Sequence, residues 1–324
     1  MFAQLINTLK KSPKTIVFTE GTDPRILEAS ARLLSGNFLK PVLVGNPDEI
    51  AAAAEDIGFN IRGAEIIDPE NFDGMDEMVD EMVALRKGKM TADECRAALK
   101  KSNYFGTMLV KMGKADCLLG GATYSTADTV RPALQLIKTK PGNKIVSSCF
   151  IMVRPAASGE NEVLAMADCA INIKPNEDEL VEICKETVSC AKIFGVDPKV
   201  AFLSYSTLGS GKGEDVDKMR NACEKAKALM PDTPIGGEFQ FDAAVSPAVA
   251  KTKHITDAVG GHANTFIFPD INAGNIGYKI AQRLGGYAAY GPILQGLNAP
   301  INDLSRGCNA DEVYKMSLIT ACQS

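Results

Sequence analysis

The feature of this chain that most limits its fold is a repeated alternation of short β-rich runs with amphipathic helical stretches. Residues 15–21 (TIVFTEG) are predicted to form a strand, and residues 23–36 the helix that follows it. The pattern repeats at 40–46 with 47–58, 115–121 with 129–137, 199–207 with 214–230, and 265–270 with 276–286. Repeated β-α-β units predict a mostly parallel sheet with helices on both faces. Ligands of such folds bind at the carboxyl ends of the strands, so a functional site is expected in the loops there.

The composition is that of a chain able to bury a large core. It has 324 residues, of which 45% are hydrophobic and 23% charged, so disorder is not expected. The net charge of -5 and the absence of tryptophan argue against a nucleic-acid partner, which would need basic or stacking groups. An anionic ligand must therefore be held by a few well-placed arginines or by helix N-termini.

Cysteine and histidine usage indicates neither a metal site nor a disulfide framework. The nine cysteines are odd in number and contain no C-x-x-C pair. His254 and His262 have no acidic partner at metal-ligand spacing and are interpreted as surface or packing residues. No segment approaches the ~20 uninterrupted apolar residues of a membrane span. We therefore expect a cytoplasmic protein with reduced thiols, no bound metal and no membrane association.

Two stretches stand apart from the alternation. Residues 55–103 carry acids and lysines on a mainly helical pattern and are interpreted as a helical insertion that could form the wall of a cleft. Residues 138–148 (KTKPGNKIVSS) contain a Pro-Gly turn before a new strand. Such a turn makes this stretch the favoured domain boundary.

The loop over residues 120–134 (GGATYSTADTVRPAL) joins a predicted strand to a helix. Ser125 and Thr126 are small hydroxyl residues that leave backbone N–H groups accessible. Proline is tolerated in a first helical turn, so Arg131, next to Pro132, is expected near a helix N-terminus, which favours an anion. The alternative is a capping loop with a surface arginine, and this stretch alone leaves both open.

Glycines mark two further segments after predicted strands. Residues 206–218 (STLGSGKGEDVDK) match neither the P-loop nor the dinucleotide-binding pattern. A flexible loop at the mouth of a cleft is the favoured interpretation. In residues 268–286, Gly274 and Gly277 would permit the close approach of either a ligand or another backbone.

Residues 300–315 (PINDLSRGCNADEVYK) place a serine and an arginine side by side before the last predicted helix. Arg306 offers a planar fork for a phosphate or a carbonyl oxygen, and the hydroxyl of Ser305 can orient a nucleophile. No G-x-S-x-G motif accompanies a histidine, so a hydrolase triad is not indicated. These parts suit a reaction whose nucleophile arrives with the substrate, and a thiol is the obvious candidate.

The last helix is predicted to begin at Asn309, a favourable N-cap, with Glu312 at the third helical position. This spacing indicates a capping box, which is the structural explanation for Glu312. The functional explanation is a carboxylate held rigidly at a ligand site, where it can take a proton.

Four long blocks closely resemble the phosphate acetyltransferase (phosphotransacetylase) family in its short single-module form: residues 120–134, 237–244 (GEFQFDAA), 268–286 and 291–308 (GPILQGLNAPINDLSRGC). The resemblance runs from about residue 3 to the C-terminus. It implies two doubly wound α/β domains with largely parallel sheets around a central cleft, as in isocitrate and isopropylmalate dehydrogenases. It further implies a homodimer, an active site in the cleft, and domains of residues 1–145 plus 300–324 and 146–299.

The activity implied by this resemblance is reversible transfer of an acetyl group between acetyl phosphate and coenzyme A, a reaction of acetate metabolism. Matched position by position, Ser305 corresponds to a serine near the thiol. Arg306 corresponds to an arginine that binds phosphate and stabilises the transition state. Coenzyme A is then a substrate, and no tightly bound cofactor is expected.

The resemblance also assigns residues to substrate binding. Arg86 and Arg131 correspond to arginines that help to bind coenzyme A. Ser125 and Thr126 are included in the same substrate-binding set. Arg25 corresponds to an arginine of less definite role.

The general base is the point where this chain departs from the family. Members usually have an aspartate directly before the Ile or Val that opens the last helix. Here Glu312 precedes Val313, and Asp311 lies one place earlier. We favour Glu312, because its helical position points it the same way as the family's aspartate. In the implied mechanism one of these carboxylates takes the thiol proton, and the thiolate attacks acetyl phosphate directly in a ternary complex.

Three alternatives accompany this interpretation. Phosphate butyryltransferase, a sister acyltransferase, would keep the mechanism with a wider acyl pocket. An oxidoreductase would rest on the shared fold alone and would need an aspartate cluster and a nucleotide loop, neither of which we find in the sequence. A non-catalytic binding protein is the third alternative.

Overall fold

The structure is a computed structural model that describes residues 1–156 and 159–324. It consists of two compact units, each with its own sheet. The terminal unit comprises residues 2–141 and 297–324, and the central unit comprises residues 142–296 together with Met1. No helix in the described part of the chain has the length and apolar character needed to cross a bilayer.

The strands of the described residues are, in chain order, β1 (Lys14–Phe18), β2 (Leu39–Val44), β3 (Glu65–Ile67), β4 (Cys117–Gly120), β5 (Ser147–Pro155), β6 (Asn161–Ala167), β7 (Val200–Leu203), β8 (Ile235–Phe239), β9 (Thr265–Ile267), β10 (Ala288–Gln295) and β11 (Ile301–Asp303). The α-helices are α1 (Phe2–Lys11), α2 (Pro24–Gly36), α3 (Pro47–Asp56), α4 (Met75–Arg86), α5 (Ala92–Leu99), α6 (Ser102–Lys111), α7 (Thr126–Pro132), α8 (Glu177–Ile193), α9 (Glu214–Leu229), α10 (Phe241–Val245), α11 (Pro247–Thr252), α12 (Ile271–Arg283) and α13 (Ala310–Cys322). A 3₁₀ turn (Pro69–Asn71) and a π-helical turn (Ala133–Ile137) complete them.

The sheet of the terminal unit has the strand order β11-β4-β1-β2-β3, and every neighbouring pair is parallel. Its helices begin with the expected capping chemistry. Asp23 caps α2 by accepting a hydrogen bond from the backbone N–H of Arg25, and Pro24 lies in the first turn, where its missing N–H is not needed. The residue with left-handed backbone after α2 is Asn37, with φ 51°.

The stretch over residues 55–103 is mainly helical, as expected, but it also contributes a strand. Residues 65–67 form β3, which pairs in parallel with β2 at the edge of the sheet. Helices α4 to α6 bury Met78, Met82, Phe105 and Met108 in the hydrophobic core of the terminal unit. The helical part of this stretch therefore helps to build the core, because its apolar side chains need the sheet to be buried.

The sheet of the central unit is mixed, with the order β10-β5-β6-β9-β7-β8. Strand β5 is antiparallel to both β10 and β6, whereas β6, β9, β7 and β8 are parallel to one another. A mixed sheet of this kind, largely parallel with one strand of opposite direction next to the edge strand, is compatible with an α/β protein. The predicted class, an α/β fold with largely parallel sheets, is therefore confirmed.

The two glycines of α12 pack against protein. A Cβ atom at Gly274 would lie 2.2 Å from the backbone oxygen of Asp168, so this helix approaches the end of β6 backbone to backbone. A Cβ atom at Gly277 would lie 3.1 Å from the ring of Phe268. The sequence left two alternatives for Gly274, the close approach of a ligand or of another backbone. The structure shows the close approach of another backbone.

We predict that Gly274→Ala lowers the free energy of unfolding by about 1–3 kcal/mol, because the methyl group overlaps with backbone atoms that cannot move aside. Gly277→Ala in the same helix is the matched control, with a smaller expected effect because an aromatic side chain can shift. Denaturant unfolding of the two variants measures the difference. Stabilisation by Gly274→Ala, as expected of an exposed helical glycine, would contradict this packing.

Candidate active site

The carboxyl ends of three neighbouring strands bring most of the candidate residues into one region of the terminal unit. Strands β11, β4 and β1 are adjacent in the sheet and run in the same direction. The segments that follow them carry Ser305 and Arg306 after β11, Ser125 and the first residue of α7, Thr126, after β4, and Arg25 in the first turn of α2 after β1. This edge of a parallel sheet is the expected place for a ligand site.

Ser305 and Arg306 form an exposed turn between β11 and α13. The carbonyl oxygen of Ser305 accepts a hydrogen bond of 2.9 Å from the backbone N–H of Cys308, and its hydroxyl oxygen accepts one of 3.3 Å from Gly307. Within the described residues the guanidinium of Arg306 makes no hydrogen bond or ion pair. Its donors are therefore directed to solvent, where they can bind an anion.

The predicted capping box at the start of α13 is confirmed. The side-chain oxygen of Asn309 accepts a hydrogen bond of 2.9 Å from the backbone N–H of Glu312, and Oε2 of Glu312 accepts one of 2.9 Å from the backbone N–H of Asn309. The carboxylate of Glu312 is thus fixed just after the turn. Both explanations given by the sequence remain compatible, since a capping carboxylate is also a rigidly held one.

Asp311 has a different environment from its neighbour. Its carboxylate forms ion pairs with Lys315 at 2.7 Å and with Arg32 at 3.0 Å. The hydrogen bonds from Lys315 and Arg32 hold the pKa of this carboxyl below its usual range, although partial burial acts in the opposite direction. A carboxylate with a lowered pKa is a weaker acceptor for a proton.

The helix that carries Arg131 begins earlier than the sequence suggested, and the predicted place of this arginine is wrong. Helix α7 starts at Thr126, so Arg131 lies in its last turn and not near its N-terminus. Pro132 is tolerated because the chain continues as a π-helical turn. The carbonyl oxygen of Asp128, which the missing N–H of Pro132 would have bound, accepts a hydrogen bond of 2.8 Å from the side chain of Asn103.

The hydroxyl groups at the start of α7 bind protein carboxylates. Ser125 donates to Asp128 at 2.7 Å. Thr126 and Thr129 donate to the two carboxylate oxygens of Asp303, each at 2.6 Å. Asp303 ends β11 and is buried, and this burial raises the pKa of its carboxyl despite the two hydrogen bonds. The first turn of α7 is therefore fixed to the strand that precedes Ser305.

Gly121 leaves room for Asp303 beside the β4–α7 loop. Its φ is +96°, which favours glycine, and a Cβ atom here would lie 2.2 Å from Oδ1 of Asp303. On the other side of the same loop, Oε1 of Glu20 accepts hydrogen bonds from the backbone N–H groups of Gly121 at 2.9 Å and Thr123 at 3.2 Å. Burial raises the pKa of the Glu20 carboxyl. Two carboxylates thus hold the β4–α7 loop, one from each neighbouring strand.

Sequence reasoning missed Glu20 and Asp303. Both lie at the ends of strands, Glu20 in TEG after β1 and Asp303 as the last residue of β11. The sequence feature that could have identified them is an acidic residue at the carboxyl end of a buried parallel strand. The partners of these two residues could not be read from the sequence, because they are distant along the chain. Gly121 is 101 positions from Glu20, and Thr126 is 177 positions from Asp303.

Arg86 lies at the C-terminal end of α4, outside the three loops. Its Nε atom is buried and has no hydrogen-bond partner among the described residues. An unpaired buried donor is costly, so this guanidinium has an unsatisfied capacity to bind. In residues 1–156 and 159–324, no group of three or more His, Cys, Asp and Glu side chains is arranged to hold a metal ion.

Comparisons with known proteins agree on one group of enzymes. Residues 1–321 match the family described as "Phosphate acetyl/butaryl transferase". The chain is 52% identical over 309 residues to the phosphate acetyltransferase of Bacillus subtilis (strain 168), and the alignment covers 95% of this chain and 94% of that protein. The structure of this chain is similar to that of a phosphotransacetylase from Streptococcus pyogenes, with a TM-score of 0.93 and 50% identity over 99% of this chain and 98% of that chain.

A distant likeness bears on the fold alone. A 4-hydroxythreonine-4-phosphate dehydrogenase structure from Salmonella typhimurium aligns with a TM-score of 0.56 at 12% identity, over 96% of this chain and 99% of that chain. The predicted similarity to a dehydrogenase fold is therefore confirmed, without any bearing on activity.

We predict that Asp303→Asn changes how stability depends on pH. The pKa of Asp303 in the folded state is raised above its ordinary value of 3.8. Its contribution to the stability of the folded state is therefore fully present below pH 3.8 and is lost as the pH rises through the raised pKa. Asparagine cannot ionise. The free energy of unfolding of the wild type should therefore fall relative to the variant above pH 3.8, by about 1.4 kcal/mol for each unit of pKa shift.

Denaturant unfolding of both proteins between about pH 4 and 7 measures this difference. Asp80→Asn, which changes an exposed carboxyl on α4, is the matched control and should follow the wild type. A constant difference between wild type and Asp303→Asn over this range would contradict the raised pKa.

Proposed function

This chain belongs to the phosphate acetyl/butyryl transferase family and is an acyltransferase, and we propose that it transfers an acetyl group reversibly between acetyl phosphate and coenzyme A. The observation that carries the proposal is the exposed Ser305–Arg306 turn, directly followed by the fixed carboxylate of Glu312. This short segment contains a cation with unused hydrogen-bond donors, a hydroxyl group and a base.

The chemistry requires a thiolate, because a neutral thiol is a weak nucleophile and a free thiol has a pKa of about 8.5. In the proposed reaction Glu312 takes the proton of the coenzyme A thiol. The sulfur then forms a bond with the carbonyl carbon of acetyl phosphate. The carbon–oxygen bond to phosphate breaks, and inorganic phosphate leaves with the electron pair.

Arg306 stabilises the charge that develops on the carbonyl oxygen and on the departing phosphate. Its planar fork suits two oxygens at once, and its guanidinium makes no hydrogen bond within the described part of the chain. The hydroxyl of Ser305 orients the thiol or the tetrahedral intermediate. No acyl-serine forms, so the serine needs no histidine beside it.

Arg131 and Arg86 are proposed to bind the phosphate groups of coenzyme A. Arg131 is exposed, and its guanidinium forms no ion pair or hydrogen bond with any described residue. Arg86 has a buried Nε atom in need of an acceptor. Ser125 and Thr126 bind carboxylates of the protein, so their proposed part in substrate binding rests on the backbone of their loop.

The difference in ion pairing between the two carboxylates favours Glu312 over Asp311 as the general base. Asp311 is paired with two cations, which lower its pKa. Glu312 has no ion pair in the described residues, and its hydrogen bond uses Oε2 only. The Oε1 atom is left to accept a proton.

The remaining expectations stay proposals. They are the active site in a cleft between two domains, the homodimer and the cytoplasmic location. Butyryl phosphate stays the alternative substrate, because the description of the matched family names both acyl groups.

The purified protein with coenzyme A should form acetyl-CoA from acetyl phosphate, faster than it forms butyryl-CoA from butyryl phosphate, without added metal or NAD. Thioester formation measured by absorbance tests this. Arg306→Ala should lower kcat by about 10²–10³-fold, as expected for the loss of a donor to a developing negative charge. A preference for butyryl phosphate would keep the mechanism and change the substrate, and no thioester from either would refute the proposed function.

We predict that Glu312→Gln lowers kcat by about 10²–10⁴-fold, because the base is lost, while the unfolding midpoint stays nearly unchanged. The glutamine side chain keeps an oxygen that can accept the hydrogen bond from Asn309, so the capping role is preserved. Asp311→Asn is the matched control and should retain turnover. The reverse result, an active Glu312→Gln and an inactive Asp311→Asn, would assign the base to Asp311.

A further inference from the structure

We infer that Arg25 is a positioning residue, which holds the backbone of the Ser305–Arg306 turn and does not contact the substrate. This inference rests on the proposed function, since it concerns the same turn. It gives a definite role to an arginine that the resemblance matched only to an arginine of less definite role.

The hydrogen-bond donors of the Arg25 guanidinium are all occupied by protein acceptors. A guanidinium has five N–H donors. Nε and Nη2 bind the two oxygens of Asp23 at 2.9 and 2.7 Å. Nη1 binds the carbonyl oxygens of Arg306 at 2.8 Å and Cys308 at 3.1 Å, and Nη2 also binds that of Ala122 at 2.9 Å. With five bonds made, Arg25 has no donor left for a phosphate or a carbonyl oxygen of a substrate.

The carbonyl oxygens that accept these hydrogen bonds belong to the loops of the candidate site. Arg306 and Cys308 belong to the loop after β11, Ala122 belongs to the loop after β4, and Arg25 itself lies in the first turn of α2, which follows β1. A single planar group therefore joins the loops after β11 and β4 to the start of α2. Because it binds the carbonyl oxygen of Arg306, it fixes the peptide plane next to the Cα atom from which the proposed catalytic guanidinium extends.

Asp23 supports the guanidinium of Arg25. This carboxylate is 9% exposed and also caps α2 through the backbone N–H of Arg25. Burial alone would raise the pKa of Asp23, but the hydrogen bonds from Arg25 outweigh it and keep that pKa below its usual range. The two-point pair fixes the orientation of the guanidinium, so that its other three donors meet the carbonyl oxygens.

The three candidate arginines Arg25, Arg131 and Arg306 thus divide into two kinds. Arg306 and Arg131 are exposed, and neither guanidinium makes a hydrogen bond within residues 1–156 and 159–324. Arg25 is bound on every donor. The first kind can bind a ligand, whereas the second can act only through the residues that it holds.

The first test is Arg25→Lys, because lysine keeps the charge but offers a point donor in place of the planar fork. We expect kcat to fall by about 10²-fold, the cost of misplacing a catalytic group, with the KM values for coenzyme A and acetyl phosphate nearly unchanged. Arg154→Lys in the central unit is the matched control, since Arg154 also binds a carboxylate, that of Glu162, and a carbonyl oxygen, that of Gly285. A raised KM with kcat maintained would overturn the inference, because it would make Arg25 a binding residue.

A double-mutant cycle with Arg306→Ala makes the test specific. If Arg25 acts through Arg306, then Arg25→Lys should have little further effect on kcat once the side chain of Arg306 is absent. Full additivity of the two effects would contradict this. Should Arg25→Lys fail to fold, as judged by thermal unfolding, Asp23→Asn replaces it, with the same selective loss of kcat expected at a smaller size.

A readout without turnover separates this inference from the proposed function. Hydrogen exchange in Arg25→Lys should become faster in residues 305–309 and 121–124, and stay unchanged in the central unit. If the wild type forms no thioester while exchange rises in these loops, the proposed function fails and the positioning role stands. If the wild type turns over and exchange in the loops is unaltered, the positioning role fails.

Discussion

The pairing of Arg25 with Asp23 is the interaction on which the candidate site depends. A parallel sheet brings the ends of β11, β4 and β1 together, but it does not fix the conformation of the loops that leave them. The guanidinium of Arg25, in the first turn of α2, supplies this order by binding carbonyl oxygens of the loops after β11 and β4. Because Asp23 binds two of its donors, the group is oriented before any ligand arrives.

The loop between β4 and α7 depends on a second arrangement, made of carboxylates. Glu20 binds its backbone N–H groups from the side of β1, and Asp303 binds the hydroxyl groups of Thr126 and Thr129 from the side of β11. Burial raises the pKa of both carboxyls. The site is therefore supported by polar groups that are almost enclosed by protein, where a hydrogen bond is strong and an unpaired group is costly.

The assignment of roles to arginines illustrates what a family resemblance leaves open. Arg25, Arg131 and Arg306 all correspond to arginines of the family, and nothing in their type separates them. Their hydrogen bonds do, since the donors of Arg25 are all bound while those of the other two are not. The exposed pair is thereby suited to ligands and Arg25 to the support of the backbone.

The sequence by itself determined the elements whose causes are local. The alternation of β-rich and helical runs predicted the α/β class, the helical run over residues 23–36 predicted α2, and Asn309 with Glu312 predicted the capping box of α13. It misplaced Arg131, because the chain continues past Pro132 as a π-helical turn and the carbonyl oxygen that Pro132 leaves unbound, that of Asp128, is bound by Asn103, 25 positions away in the sequence. Only the tertiary structure decided the partners of Arg25, since Cys308 is 283 positions away and becomes a neighbour through the order of strands in the sheet.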